Sequence, residues 1–207
     1  YDAMAYYDEV GWTDFTHEES GAPALKAQHP DFETWSQGIH AANGVTCADC
    51  HMAYQRNGAG KVSNHQIMSP MASDESINAS CLTCHHSTEA EMRQRVDNIQ
   101  TTWQNSLNVS FTALEALIND IKAADANGTA TEEQLTLARD YQRKAQFVVD
   151  YSFSENGRGF HAPQYSVSML NQATDWARSG QLALRGVSVE NSVPPATPEK
   201  HMPEKKN

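Results

Sequence analysis

The chain has 207 residues, with 15 Lys and Arg against 26 Asp and Glu, a net charge of −11. That length suits one domain, and the acidic balance argues against nucleic acid as a partner, because a phosphate-binding surface needs a basic stripe. No apolar run approaches the roughly 20 residues of a membrane-spanning helix.

Residues 1–24 are rich in aromatic and acidic side chains, with Tyr6, Tyr7, Trp12 and Phe15 spread among the breakers Gly11, Gly21 and Pro23. This reads as loop with a short helix near Asp2 to Glu9. His17 reads as a surface or loop histidine. Leu25-Lys26-Ala27-Gln28-His29-Pro30 follows, and Pro30 forces an extended or turn geometry at His29. Pro30 and Asp31 then look like a helix start. The helix is expected over about Asp31 to Asn43, with Phe32, Trp35 and Ile39 on one face, His40 near its end and Gly44 as its stop.

Cys47-Ala48-Asp49-Cys50-His51 comes next, and Cys81-Leu82-Thr83-Cys84-His85 repeats its pattern. The two stretches use all four cysteines of the chain. C-x-x-C-H is the attachment spacing of a c-type haem: two thiols add to the vinyl groups of one macrocycle, and the following histidine is placed beneath the iron. A zinc site built from both cysteine pairs is the alternative, with a separation longer than a zinc ribbon uses. A thioredoxin-like pair would come once, within a β-α-β pattern, and no such pattern is visible. Haems are apolar bodies to pack around, which suits a modest hydrophobic fraction of 39%. Thioether attachment takes place outside the bacterial cytoplasmic membrane. A periplasmic or exported protein is therefore expected, with an export signal upstream of Tyr1.

Between the motifs the chain reads as a loop carrying Gly58, Gly60, Pro70 and His65, and no regular strand pattern stands out. From about Thr88 to Ala126, Val96, Ile99, Trp103, Leu107, Phe111, Leu114, Ile118 and Ile121 recur at steps of three and four, a long amphipathic helix that Asn127-Gly128 stops. Thr131 with Gln134 behind it marks a capped start. The second helix runs to about Glu155 on a face of Leu135, Ala138, Tyr141, Ala145 and Val148 or Val149, and Asn156-Gly157-Arg158-Gly159 ends it. His161 and Pro163 open a third helix through Tyr165, Met169, Ala173 and Trp176 to about Arg185. The tail beyond, with four prolines and no periodicity, is expected to be extended or disordered. The expected fold is mainly α: a loop-rich haem-binding region over 1–87, then three long antiparallel helices over 88–186, then a tail over 187–207.

Nine histidines are present. His51 and His85 follow the cysteine pairs as proximal ligands. A low-spin electron-transfer haem takes a second ligand, and His40, His65 and His161 each sit at the edge of a loop or helix, where an imidazole can reach iron. His86 directly follows a proximal ligand and faces elsewhere; His201 is in the tail.

The Leu25 to Pro30 run, Gly38-Ile39-His40, Gly44 to Met52, the second C-x-x-C-H, Gly159-Phe160-His161 and the three long helices together resemble the C-terminal half of the ammonia-forming cytochrome c nitrite reductases, periplasmic enzymes with five haems. The resemblance covers nearly everything from Tyr6 to Gly186. It implies that His51 and His85 are proximal ligands of the fourth and fifth haems, His161 the distal ligand of the fourth, His40 that of the fifth, and His65 a ligand reaching a haem attached elsewhere. It implies a structural calcium beside the active site, held by the Lys26 carbonyl and the Gln28 side chain, oxygen donors of the kind calcium prefers. It makes His29 the active-site histidine beside nitrite, a residue type that titrates near neutral pH and donates to a developing oxygen. It further implies an N-terminal half with three haems that is missing here, the C-x-x-C-K motif and catalytic arginine and tyrosine with it. A quinol-oxidising membrane cytochrome as electron donor and a homodimer built on the long helices are also implied. A dihaem electron-transfer subunit without its own substrate site accounts for both haem motifs, His40 and His161, but not for the Lys26 to His29 run or His65.

Overall fold

The structure is a computed structural model describing residues 2–187. The expected tail, apart from Val187, and His201 within it lie outside the described residues. Eight α-helices and four short strands are found among those residues: α1 (Ala3–Glu9), β1 (Phe15–Thr16), β2 (Pro23–Ala24), α2 (Asp31–Ser36), α3 (Ile39–Ala42), α4 (Cys47–His51), β3 (Tyr54–Asn57), β4 (Gly60–Ser63), α5 (Asp74–Ala79), α6 (Glu89–Asn127), α7 (Glu132–Phe153) and α8 (Pro163–Ala183). The fold is mainly helical, as expected.

The three long helices begin and end where local chemistry dictates. Thr88 opens α6 with a reciprocal cap: its N–H donates to Glu91 at 2.8 Å and its hydroxyl accepts from the Glu91 N–H at 3.3 Å. Each bond satisfies a donor that the first helical turn leaves unpaired. Thr131 and Gln134 do the same for α7, at 2.7 and 3.3 Å. Gly128 ends α6 in the left-handed conformation, φ 61°, which costs glycine nothing. Pro163 stands in the first turn of α8, where its missing N–H is no loss.

Successive long helices run antiparallel, so α6 and α8 run parallel. Asp125 near the end of α6 pairs with Arg139 near the start of α7 at 2.6 Å, while Phe111 meets Phe153 at the other end of α7. Between α6 and α8 the contacts climb together: Ser110 donates to the Leu170 carbonyl at 2.7 Å, and Asp120 accepts from Gln181 at 2.6 Å. Gly180 lets the bundle close, since a Cβ there would lie 2.8 Å from both Leu117 methyl carbons. The core between them holds Leu107, Leu117, Ile121, Phe147, Val148, Val149 and Leu170, all 0–2% exposed. The face expected on α7 is buried throughout; on α6, Phe111 departs from it and is 41% exposed.

The first 87 residues depart further from the sequence reading. The helix expected over Asp31 to Asn43 is broken at Gln37 and Gly38 into α2 and α3. Gly38 takes an extended conformation, φ −90° and ψ 160°, because the chain must pass the His161 carbonyl, into which a Cβ on Gly38 would collide. Phe32 and Ile39 are consequently exposed, at 49% and 68%, rather than facing the core. The stretch between the motifs is not a plain loop. It holds the antiparallel β3–β4 hairpin, with Asn57 paired to Gly60, a 3-10 turn over Pro70–Ala72, and α5. His29 takes the turn alternative, in the left-handed region at φ 51°, unusual for a residue with a side chain.

Gly38→Ala is expected to destabilise the protein by about 1–3 kcal/mol, the usual cost of inserting a methyl into filled space. The denaturant midpoint measures it, and a midpoint equal to that of the parent protein would show that α2 and α3 do not need this approach.

Candidate haem-binding site

The first cysteine pair lies on a single helical turn, α4. Thr46 opens it by donating its N–H and its hydroxyl to the Asp49 carboxylate, both at 2.7 Å. Those bonds, the backbone one first, hold the Asp49 carboxyl below the usual carboxylate value. The second pair lies on a 3-10 turn, Cys81–Thr83, with Cys84 as its cap. All four thiols are free. Burial first, and then the charges of the other cysteines and Asp49, push the Cys50 thiol up to about 11. Among the described residues no cysteine joins a group of three or more ligand atoms lying within 4.8 Å of one another, as a tetrahedral zinc site requires.

The histidines are brought together in pairs. The His51 and His161 rings have centroids 6.2 Å apart with their planes at 61°. The His40 and His85 rings are also 6.2 Å apart, at 90°. Each pair joins one motif histidine to a distant one. A metal bound to a nitrogen of each ring, at about 2 Å per bond plus about 1 Å from nitrogen to ring centre, holds two imidazole centres about 6 Å apart. Rotation of a ring about such an axis leaves the spacing unchanged, so unequal plane angles are compatible with it. The residues present therefore fit an iron between each pair.

The far nitrogens of the first pair are already engaged. His51 Nδ1 lies 2.9 Å from the Met68 carbonyl, and His161 Nδ1 lies 2.5 Å from a Glu155 carboxylate oxygen. Metal-bound histidines are held in this way, one nitrogen hydrogen-bonded and the other left for the metal. Glu155, first through that hydrogen bond, raises His161 above the usual histidine value against the opposing effect of burial. His40 is lowered by burial first and then by its neighbours His85 and His161, so the two pairs stand side by side. Large apolar side chains are exposed in the same half of the chain, Ile39 at 68% and Ile67 at 75%, as suits a region that packs on an apolar macrocycle.

His65 stands apart on the exposed stretch after β4, in no ring contact among the described residues. Lys26, Gln28 and His29 form a separate feature. Leu25 and Ala27 are buried while Lys26, Gln28 and His29 are exposed. The Lys26 N–H donates to Asp14 at 2.8 Å and the Ala27 carbonyl accepts from Ser154 at 3.3 Å. One side of the segment is thus tied to the end of α7 and the other turned outward. Sequence reasoning missed Glu155 and the Met68 carbonyl: the first reads as a helix end and the second as part of a loop.

The bundle and the paired histidines above two C-x-x-C-H turns define a multihaem cytochrome fold. The chain belongs to the cytochrome c552 family, whose family model matches residues 1–207. It is 41% identical over 182 residues to a cytochrome c-552 of Parabacteroides distasonis, covering 88% of this chain and 36% of that protein. To a cytochrome c-552 of Porphyromonas gingivalis it is 39% identical over 186 residues, 90% of this chain and 36% of that protein. The chain thus spans about a third of the length of these relatives. Among solved structures it is similar to the cytochrome c nitrite reductase of Desulfovibrio desulfuricans, with a TM-score of 0.79 and 32% identity, covering 84% of this chain and 37% of that one. That protein is described as a catalytic subunit with two calcium sites.

Proposed function

We propose that this chain forms the part of an ammonia-forming cytochrome c nitrite reductase that carries two c haems, each between two histidines, and one active-site histidine. The observation that carries the reading is the pairing of His51 with His161 and of His40 with His85 at one common spacing. Cys47, Cys50, Cys81 and Cys84 would hold the haems covalently, and each haem iron, when bound, supplies a site that gains and loses one electron. The chain's own part is to fix the imidazoles and to keep the two centres adjacent for transfer toward the site where nitrite takes up six electrons. His65, in its exposed stretch, is free to serve as a ligand for a haem attached outside these residues.

His29 has the geometry of a residue held for use: an exposed imidazole on a left-handed backbone, between a buried Ala27 and the start of α2. It would donate a hydrogen bond or proton to a nitrite oxygen. The Lys26 carbonyl and the Gln28 side chain beside it are two oxygen donors of the six or so that calcium takes, so the remaining ligands would come from outside this segment. The arrangement is supported by likeness to a nitrite reductase described with calcium sites. The same reading makes the protein periplasmic, with a membrane quinol-oxidising cytochrome as donor. It also gives a homodimer along the long helices, whose outer surface exposes Phe153 at 67% and Val109 at 53%.

His29→Ala in the full-length protein is expected to lower nitrite turnover by about 10²–10⁴-fold, the range for loss of a general acid, with haem content and optical spectrum unchanged. Turnover equal to the parent's would overturn the assignment of His29. No nitrite-dependent change in the parent's own spectrum would favour a dihaem electron-transfer module instead.

A further inference from the structure

Past the end of α7 the chain folds back over Ser154 to Ala162 and delivers His161. Glu155 lies within this turn and is 3% exposed. A carboxylate so buried needs partners, and the turn supplies three: the Gly157 N–H at 2.7 Å, the Gly159 N–H at 2.8 Å and His161 Nδ1 at 2.5 Å. The two glycines make this possible. A Cβ on Gly157 would stand 2.5 Å from Glu155 Oε1 and 2.6 Å from His161 Nδ1, and one on Gly159 would stand 2.6 Å from the Trp103 ring. Asp31 is close enough to form a three-residue cluster with Glu155 and His161, but it accepts from the Asn156 N–H and amide at 3.0 and 3.1 Å. The cluster's oxygens are committed to N–H donors, so it carries no separate metal site.

We propose that Glu155 is a positioning residue that aims His161 Nε2 at the iron of the haem on Cys47 and Cys50, and that its charge lowers the reduction potential of that haem. The inference rests on His51 and His161 being an axial pair. A carboxylate on Nδ1 keeps the proton there, fixes the ring's rotation and makes Nε2 a stronger donor. A stronger donor and a nearby negative charge both favour the ferric over the ferrous state. The opposite ring, His51, has only a neutral acceptor, the Met68 carbonyl, so the two sides of one site differ in charge.

The test uses the full-length haem-loaded protein with Glu155→Gln, which keeps an oxygen at nearly the same place and removes the charge. In an optical redox titration, one midpoint potential is expected to move to a more positive value while the others and the total haem content stay as in the parent. Glu155→Asp, which keeps the charge, is expected to move it less. A Glu155→Gln protein whose midpoints all equal the parent's overturns the proposal. If that variant does not accumulate in folded form, Gly157→Ala, whose methyl would stand between the carboxylate and the ring nitrogen and so break the bond that joins them, stands in: the same positive shift with haem content unchanged supports the proposal and no shift overturns it. The axial pairing is checked separately with His161→Ala. If that protein keeps a six-coordinate low-spin signal at every bis-histidine haem, the pairing itself is wrong, and the role of Glu155 falls with it.

Discussion

Serine at both Cys47 and Cys50 is expected to remove one covalently bound haem per chain and leave the haem on Cys81 and Cys84 in place. The two sulfurs lie on one turn of α4, three residues apart, and that turn is fixed by Thr46 and Asp49 rather than by the sulfurs. The exchange of thiol for hydroxyl therefore leaves the turn intact while removing both thioether bonds. His51, still hydrogen-bonded to Met68, keeps its place but has no tethered partner. The second motif sits on a different turn, preceded by α5, where Ser80 donates to the Ser76 carbonyl at 2.6 Å, and it does not depend on α4 for its shape. A pyridine haemochrome assay of the full-length protein counts the haems. A count that falls by one is the expected result; an unchanged count would show that Cys47 and Cys50 do not hold haem.

Phe147→Ala is expected to cost about 3–5 kcal/mol of stability, the range for removing a buried ring. Phe147 is 1% exposed, and its ring centroid lies 5.3 Å from that of Tyr7 and 6.3 Å from those of Tyr6 and Tyr151. It therefore holds α1 against the middle of α7. Tyr151 in turn accepts from Thr34 on α2 at 3.1 Å, so the loss reaches the segment that carries His40. Phe153→Ala makes the control. That ring is 67% exposed, and its ring contact among the described residues is Phe111, edge-on at 5.9 Å, so in the dissociated chain, away from any dimer contact, a substitution of this kind stays within about 0.5 kcal/mol. Denaturant midpoints of the two variants should separate clearly; equal midpoints would show that the core is not centred on Phe147.

The long helices were legible because their chemistry is local. Thr88, Gly128, Thr131 and Pro163 each mark an end by a bond or backbone angle within four residues, and the apolar spacing of α7, and of α6 apart from Phe111, matches the faces that bury. The first 87 residues were harder to read for a physical reason. Apolar periodicity reports the side of an element that packs on protein, and Ile39 and Ile67 stand 68% and 75% exposed here. The break between α2 and α3 is imposed by the His161 carbonyl, more than 120 residues away, and nothing in Gln37-Gly38 announces it. The β3–β4 hairpin has exposed strands with no alternation, and only Asn57-Gly58, with Gly58 at φ 61°, carries a turn signal. Among the candidate residues, the cysteines and motif histidines follow from spacing alone. The partners His40 and His161 needed the resemblance, and the geometry that joins them is long-range. Glu155 lay hidden because a Glu before Asn-Gly-Arg-Gly reads as the end of a helix. Its value comes only from the turn that brings it back onto His161.

The most direct test of the axial pairing is an iron-edge anomalous difference map from crystals of the full-length haem-loaded protein. The expected result is one iron between His51 and His161 and a second between His40 and His85. Iron at neither position, or a zinc-edge signal among Cys47, Cys50, Cys81 and Cys84, would contradict it.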